Sequence, residues 1–437
     1  MADRTPGGLA GLAQALGGVQ TLLVQGRVQS VVGLCIRASV PGARVGEMVR
    51  IERRGGPLRA EIVGFEGTDV LLLPLGDAAG IGPGDPVEPA STVLSVRAGP
   101  DLVGRVLDGL GEPADAGAPL TGELWDVERA PPPPLSRRRI DRPLSLGVRV
   151  LDGLCTAGEG QRIGLFAGSG VGKSTLLGQI ARQTEADVSV IALIGERGRE
   201  VREFLEDALG TEGRKRSVVV CATSDAPALV RLKSAHVATA IAEWFRDQGM
   251  RVLFMMDSVT RFARALREVG LAAGEPPARR GYPPSVFAAL PRLLERSGNS
   301  QDGSITALYT VLVEGGDLDE PVADEVRSIL DGHVVLTRRL AERGHFPAVD
   351  PLQSLSRVMD GLVDVAHRTA AQRLRSLLAA YERQRDLILL GAYKKGSDPD
   401  TDEAIRRMPA IDAFLRQDVR ETVPIGATRE ALLSLVA

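Results

Sequence analysis

The 437 residues are more than one hydrophobic core usually serves, so two or three domains are expected. Apolar residues make up 44% and charged residues 25%, an ordinary globular balance, and 53 Lys plus Arg against 56 Asp plus Glu leave a net charge of −3. So little net charge excludes a chain dominated by attraction to nucleic acid, and aromatics at 3% are a poor supply of stacking platforms for single strands.

In chain order, residues 1–18 are rich in Gly and Ala and carry Leu9, Leu12 and Leu16 at helical spacing, which predicts a weak amphipathic helix or tail. The start lacks a basic stretch leading into a continuous apolar one, and no run approaches the roughly 20 apolar residues of a membrane span. A cytoplasmic protein with peripheral membrane contact is expected. From 19 to 93, short β-branched runs broken by Gly and Pro (VQGRVQSVVGLCI, EMVRIE, LRAEIVGF, TDVLLLPL, GIGPGDPV) predict a small β-barrel. A connecting region with a stiff APPPPLSRRR loop follows, its Arg137–Arg139 run read as a solvated face.

From about Leu144 the texture becomes β–α alternation. QRIGLFAG, VSVIALIG, SVVVCAT, RVLFMMDS and SITALYTVLVEG read as strands, and KSTLLGQIARQ, EVREFLEDAL and ALVRLKSAHVATAIAEWFRDQ as helices. Continuous apolar strands separated by helices predict a parallel sheet covered on both faces. After Ser354 helical periodicity dominates. The expected organisation is a tail (1–18), a β-barrel (19–93), an α/β core (94–365) and a helical domain (366–437).

The strongest chemical signal is AGSGVGKS, Ala167 to Ser174, between a strand and an amphipathic helix, the context a phosphate-binding loop requires. Glycines let backbone N–H groups approach phosphate oxygens, and the helix N-terminus favours negative charge. The backbone of Gly168, Ser169, Gly170, Val171 and Gly172, with Lys173, Ser174 and Thr175, would cradle ATP. Lys173 would reach the β/γ phosphates and Ser174 would offer its hydroxyl to Mg²⁺. The strict GxxxxGK[ST] pattern wants Gly where Ala167 stands. Asp257 closes the apolar strand RVLFMMD, at the end where α/β proteins bind ligands, and its carboxylate would hold Mg²⁺. Glu196, in GERGRE after VSVIALIG, is placed to polarise an attacking water; a loop salt bridge with Arg197 or Arg199 is the structural alternative.

From about residue 95 to 365 the chain resembles the catalytic subunits of rotary and type III export ATPases: GLFAGSGVGKS, IGERGREV, MMDSVTRFARA and GHFPAVDPLQSLSRVMD occur in that family's order. The resemblance implies a RecA-like P-loop core between an N-terminal β-barrel and a C-terminal helical domain. It implies Glu196 as catalytic carboxylate and Arg357, in SLSRVM, as an arginine finger acting on a neighbouring subunit's nucleotide, worth about 10³–10⁵ in rate. Phe346 falls where the family has a Tyr against adenine, so stacking is kept and the hydroxyl lost; plain core packing is the alternative. Arg261, in TRFAR, supports the site or forms a structural ion pair.

Within the family, GAYKKGSDPDTDEA stands where a synthase β-type subunit carries an acidic stretch and looks instead like flagellar export ATPases; EGGDLDEPVADEVRSILDGHVVLTRRLA looks like the type III export branch. The expectation is a homohexameric ATP hydrolase of flagellar protein export using ATP and Mg²⁺. Its implied partners are a stator-like regulator near the N-terminal tail, a coiled-coil stalk protein, export chaperones with their substrates, and a membrane export gate, at the cytoplasmic face of the inner membrane. The alternatives are an injectisome ATPase and, further off, a synthase β subunit; an α-type subunit lacks the Glu found at 196. A hexameric RNA helicase would want aromatics in the barrel, where Phe65 is the one present, and a scaffold without turnover would not need Lys173, Glu196, Asp257 and Arg357 together. The cysteines (35, 155, 221) and histidines (236, 333, 345, 367) are scattered without metal-ligand spacing.

Overall fold

The computed structural model describes residues 25–90 and 92–437, so the helix or tail expected over 1–18 lies outside the described residues. The chain divides into two compact units between Val93 and Leu94. In the first, β1 (Gly26–Val32), β2 (Cys35–Ser39), β3 (Met48–Ile51), β4 (Leu58–Glu66), β5 (Asp69–Pro74) and β6 (Pro86–Pro89) close into a barrel in the order β1-β2-β5-β4-β3-β6. VQGRVQSVVGLCI, one run in the sequence, is a hairpin turning at Gly33, which holds φ = 60°. Alternate residues fill the interior: Val28, Ile36, Val49, Ile51, Ile62, Val70, Leu72 and Val87 are all buried.

The second unit is built on a nine-stranded sheet. Its principal strands are β7 (Val106–Asp108), β8 (Arg162–Ala167), β9 (Val188–Glu196), β10 (Ser217–Thr223), β11 (Arg251–Asp257), β12 (Ser304–Leu312), β13 (Gly332–Leu336) and β14 (Leu355–Ser356). They run in the order β14-β13-β8-β12-β11-β9-β10-β7, parallel except for β14. Every residue of β9 is buried, which is why it reads as an unbroken apolar run rather than an alternating one. Phe166, Phe254 and Tyr309 are among the largest wholly buried side chains, each stabilising by roughly 1.5–3 kcal/mol.

The helices that matter for the site are α1 (Lys173–Gln183), α2 (Ala228–Asp247) and α3 (Val259–Ala272). α1 buries Leu176, Leu177 and Ile180 on one face, as their spacing requires. The segment expected as one helix, EVREFLEDAL, is instead a short helix (Gly198–Glu203) followed by a wider π-type turn (Phe204–Leu209) that brings both Phe204 and Leu209 into the core. β13 was not expected from the sequence: HVVL is too short, between Gly and an Arg-rich stretch, to stand out. Nor is Arg137–Arg139 simply a solvated face. Arg137 donates to the carbonyls of Ser297 (2.9 Å) and Glu295 (2.5 Å), and Arg138 to that of Ser300 (3.2 Å), so the proline loop is fastened to the core at its basic end.

The chain closes with α4 (Val365–Leu389), α5 (Pro399–Leu415) and α6 (Ile425–Val436). Asp364 and Asp398 cap the first two, accepting from the amides of His367 and Asp400. Leu374 and Leu377 of α4, Ile411 of α5 and Leu432 of α6 are completely buried, continuous with the core beneath the sheet. Among the described residues no helix is long and apolar enough to cross a membrane.

Candidate functional site

β8, β12, β11 and β9 are adjacent, and the residues singled out in the sequence stand at the carboxyl ends of three of them. β8 ends at Ala167, completely buried, with its carbonyl accepting from Val313 N at 3.1 Å. Ala167 therefore belongs to the sheet and not to the loop, which explains why a Gly is dispensable there. The loop proper starts at Gly168 and enters α1 at Lys173. Gly172 precedes the helix at φ = 88°, a conformation that strains any residue with a Cβ, and a Cβ there would also lie 3.4 Å from the Phe346 ring. Ser169, Gly170, Ser174 and Thr175 are exposed, whereas Val171 is buried and anchors the loop to the core.

Glu196 ends β9 through a bulge between Ile194 and Glu196. Gly195 makes that bulge at φ = 65°, and a Cβ on it would meet Arg261 Cδ at 2.9 Å, so Gly is required both by conformation and by the side chain crossing it. Arg261 lies in the first turn of α3, where its amide donates to Ser258 Oγ at 3.3 Å. Its guanidinium is ion-paired with Glu196, and burial, with Arg264 adding to it, pushes the Arg261 pKa below its ordinary value. Glu196 also stands 3.5 Å from Lys173 Nζ. The loop salt bridge considered for it is not formed: Arg197 pairs with Glu200 and Arg199 with Glu203.

Asp257, at the end of β11, is 3% exposed and ion-paired with Lys173. Thr310 of β12 donates to the same carboxylate oxygen, Oδ1, at 2.8 Å. Among the described residues no hydrogen bond is made to Oδ2. The carboxylate of Asp257 and the exposed hydroxyl of Ser174 are both hard oxygen donors, a set that fits Mg²⁺ better than a soft metal. The result is a chain of alternating charges, Arg261–Glu196–Lys173–Asp257, whose first three members line an open cleft of about 430 Å³ together with the loop, Arg197 and Leu312, while Asp257 is buried and meets the cleft through Lys173.

A second cleft of about 360 Å³ opens on the other side of Gly172, lined by Leu176, Phe346, Pro347, Gln417 and Val419. Phe346 is 44% exposed, so it is not a core side chain. The opposite wall, 417–419, was missed by sequence reasoning. Gln417 N donates to Phe346 O at 3.0 Å, and its buried amide accepts from Arg149 N and donates to Gly147 O, both at 2.8 Å. No local signal marks a glutamine that acts by bridging some 270 residues of chain.

Arg357 is not brought to this cleft. It follows β14, which pairs with Gly332 and His333 at the amino end of β13, whereas the phosphate loop lies beyond the carboxyl end of β8. The two levels differ by about 15–20 Å of strand, at roughly 3.3 Å per residue. Arg357 is exposed, its amide donating to Asp331 O and its guanidinium weakly to Arg327 O at 3.4 Å.

A phosphate loop entering a helix, with two carboxylates on neighbouring strand ends of a parallel sheet, defines a P-loop nucleoside-triphosphatase. The nucleotide-binding domain of the ATP synthase alpha/beta family matches residues 147–356, its beta-barrel domain residues 28–90, and the C-terminal domain of the type III secretion ATPase EscN residues 363–434. The chain is 54% identical to the flagellum-specific ATP synthase of Bacillus subtilis (strain 168) over 415 residues, 94% of each protein. It is 53% identical to the type 3 secretion system ATPase of Xanthomonas euvesicatoria over 413 residues, 94% of this chain and 93% of that one. Among solved structures, the assembled ATPase EscN of the enteropathogenic E. coli type III secretion system superposes with a TM-score of 0.90 at 48% identity, covering 94% of this chain and 100% of that one. The protein belongs to the ATP synthase alpha/beta family, among its flagellar and type III secretion ATPases, and is an ATP hydrolase of the P-loop type.

Proposed function

We propose that this chain is the ATPase of flagellar protein export, acting as a homohexameric ring that couples ATP hydrolysis to the unloading and export of flagellar proteins. The observation that carries the reading is the division of the site: Glu196 and Asp257 gather about the Lys173 ammonium at one cleft while Arg357 is exposed at the far level of the sheet. A cation displayed away from its own cleft suits an active site completed by the neighbouring subunit. The backbone of Gly168 to Gly172, with Lys173, Ser174 and Thr175, would hold the phosphates, and Phe346 would stack on adenine. Ser174 and Asp257 would hold Mg²⁺, which when bound neutralises charge on the phosphates. Glu196 would orient and polarise the attacking water. Arg357 would stabilise negative charge on the transferring phosphoryl group of the adjacent subunit.

The flagellar assignment rests on GAYKKGSDPDTDEA and on the flagellum-specific relatives. Use in an injectisome is the second reading, favoured by the 53% identity to a type 3 secretion system ATPase. Of the implied partners, a central stalk has direct support from a relative: EscN has been solved in complex with its central stalk EscO. The stator-like regulator, the chaperones with substrates and the membrane export gate follow from the family resemblance, as does a peripheral position at the inner membrane.

Specific ATPase activity of the purified chain against its own concentration tests the assembly. A steep rise supports a self-sufficient ring; negligible activity at every concentration, with ATP still bound, points to a missing partner subunit. Restored swimming when the gene replaces the export ATPase of a flagellated bacterium supports the flagellar branch, and restored secretion only in an injectisome mutant supports the other.

A further inference from the structure

Thr310 lies near the end of β12, the strand between those that carry the phosphate loop and Asp257. The register pairs Met256 with Tyr309, which sets Thr310 beside Asp257. Its neighbours Tyr309 and Val311 are completely buried, and so is Thr310 itself. A hydroxyl in such a place costs stability unless it finds an acceptor. It has two within reach, Asp257 Oδ1 at 2.8 Å and Met256 O at 3.1 Å. One proton serves one of them at a time, and the shorter, charge-assisted bond is the one to the carboxylate.

The other partner of Oδ1 is Lys173. That cation is also the one the phosphates of a bound nucleotide attract, so its bond to Asp257 must weaken when the nucleotide enters. The bond from Thr310 meets no such competition, because the hydroxyl lies wholly inside the sheet.

We propose that Thr310 is a positioning residue: its hydroxyl fixes the Asp257 carboxylate through Oδ1 while nucleotide is bound, leaving Oδ2 as the oxygen offered toward Mg²⁺. This rests on the metal role given to Asp257 above. The carboxylate would otherwise be free to rotate about its last torsion and share its charge between two orientations, a loss felt as weaker metal binding rather than weaker nucleotide binding.

The test is a Mg²⁺ titration of the full-length protein with a fluorescent ADP analogue bound, read by fluorescence and so independent of turnover. Thr310→Val keeps shape and volume and removes the donor; its half-saturating Mg²⁺ concentration is expected to rise about tenfold or more. Binding of the analogue in EDTA should stay at the wild-type level, which also reports that the variant is folded. Thr310→Ser retains the hydroxyl and should restore the wild-type titration; Thr310→Ala serves as a second deletion of the donor if Val is not accommodated. An unchanged titration in Thr310→Val, with a shifted one in Asp257→Asn, overturns the role of Thr310 alone. An unchanged titration in both overturns it together with the metal role of Asp257.

Discussion

Lys173, at the amino end of α1, and Asp257, at the carboxyl end of β11 and 84 residues away in the chain, form an ion pair, with Glu196 3.5 Å from the same ammonium. Two carboxylates buried to this degree require the cation. The phosphates must therefore draw Lys173 away from carboxylates already holding it, which ties nucleotide entry to the freeing of the two acids.

Lys173→Ala should accordingly do two things. It leaves Asp257 and Glu196 short of a partner, lowering stability by about 1–3 kcal/mol in urea denaturation. It also removes the phosphate contact, weakening ATP binding by about 30-fold or more by calorimetric titration. Wild-type affinity in this variant would contradict the assignment of the loop.

Glu196→Gln keeps the shape of the side chain and removes its basicity. Turnover is expected to fall by about 10²–10⁴, with ATP affinity held within a few-fold. Arg261 loses its ion pair in the same variant, so Arg261→Ala is a useful companion: a loss confined to turnover in both would mean that Arg261 acts by holding Glu196. Undiminished hydrolysis in Glu196→Gln would remove Glu196 from the chemistry.

Phe346 predicts the opposite signature. Phe346→Ala should raise KM for ATP by about 3–10-fold with kcat nearly unchanged, because stacking on the base is made equally in the ground and transition states. Phe346→Tyr should behave as wild type. An unaffected KM in the alanine variant would show that the base lies elsewhere.

Two groups outside the site, Asp152 wholly buried and His236 partly so, set opposed pH dependences. Burial pushes the Asp152 carboxyl up to about 7, against hydrogen bonds from Leu146 N, Ser145 Oγ and Gly147 N. Burial drives His236 down to about 3, with Arg296 and Lys233 adding to the effect and Glu128 opposing it. The folded pKa of Asp152 lies above its unfolded value of about 3.9, so its contribution grows as pH falls from about 7 toward 4. The folded pKa of His236 lies below its unfolded value of about 6.5, so the unfolded chain takes the proton first and stability is lost as pH falls below that. Between about pH 4.5 and 6.5 the two slopes oppose each other. His236→Gln should therefore gain stability relative to wild type on acidification from pH 6.5 to 5, by about 2 kcal/mol from urea midpoints. Parallel pH curves for the two proteins would contradict this.

The α/β core was legible in the sequence because its signals are local. A strand that ends in AGSGVGKS, or in Asp257 after RVLFMM, announces both its structure and its chemistry within ten residues. The barrel was legible through the spacing of its short strands, although the hairpin at Gly33 was hidden inside one run. What the sequence concealed is contact made across the sheet. Thr310 looks like one more β-branched strand residue, and only the pairing of β12 with β11 shows its hydroxyl on Asp257. Gln417 stands in a loop between helices with nothing to connect it to Phe346. Arg137 looked solvated because charge runs usually are, and its carbonyl partners lie some 160 residues away.

The division of the active site between subunits is tested most directly by mixing two inactive proteins. Arg357→Ala should lose about 10³–10⁵ in turnover while binding ATP normally, and Glu196→Gln is inactive for a separate reason. In a mixed ring, a Glu196→Gln subunit still presents its intact Arg357 to a neighbour that has Glu196 but lacks its own arginine. The account predicts that ATPase activity reappears on mixing, well above the sum of the two alone. A mixture no more active than its parts, with mixed assemblies verified by mass, would contradict it.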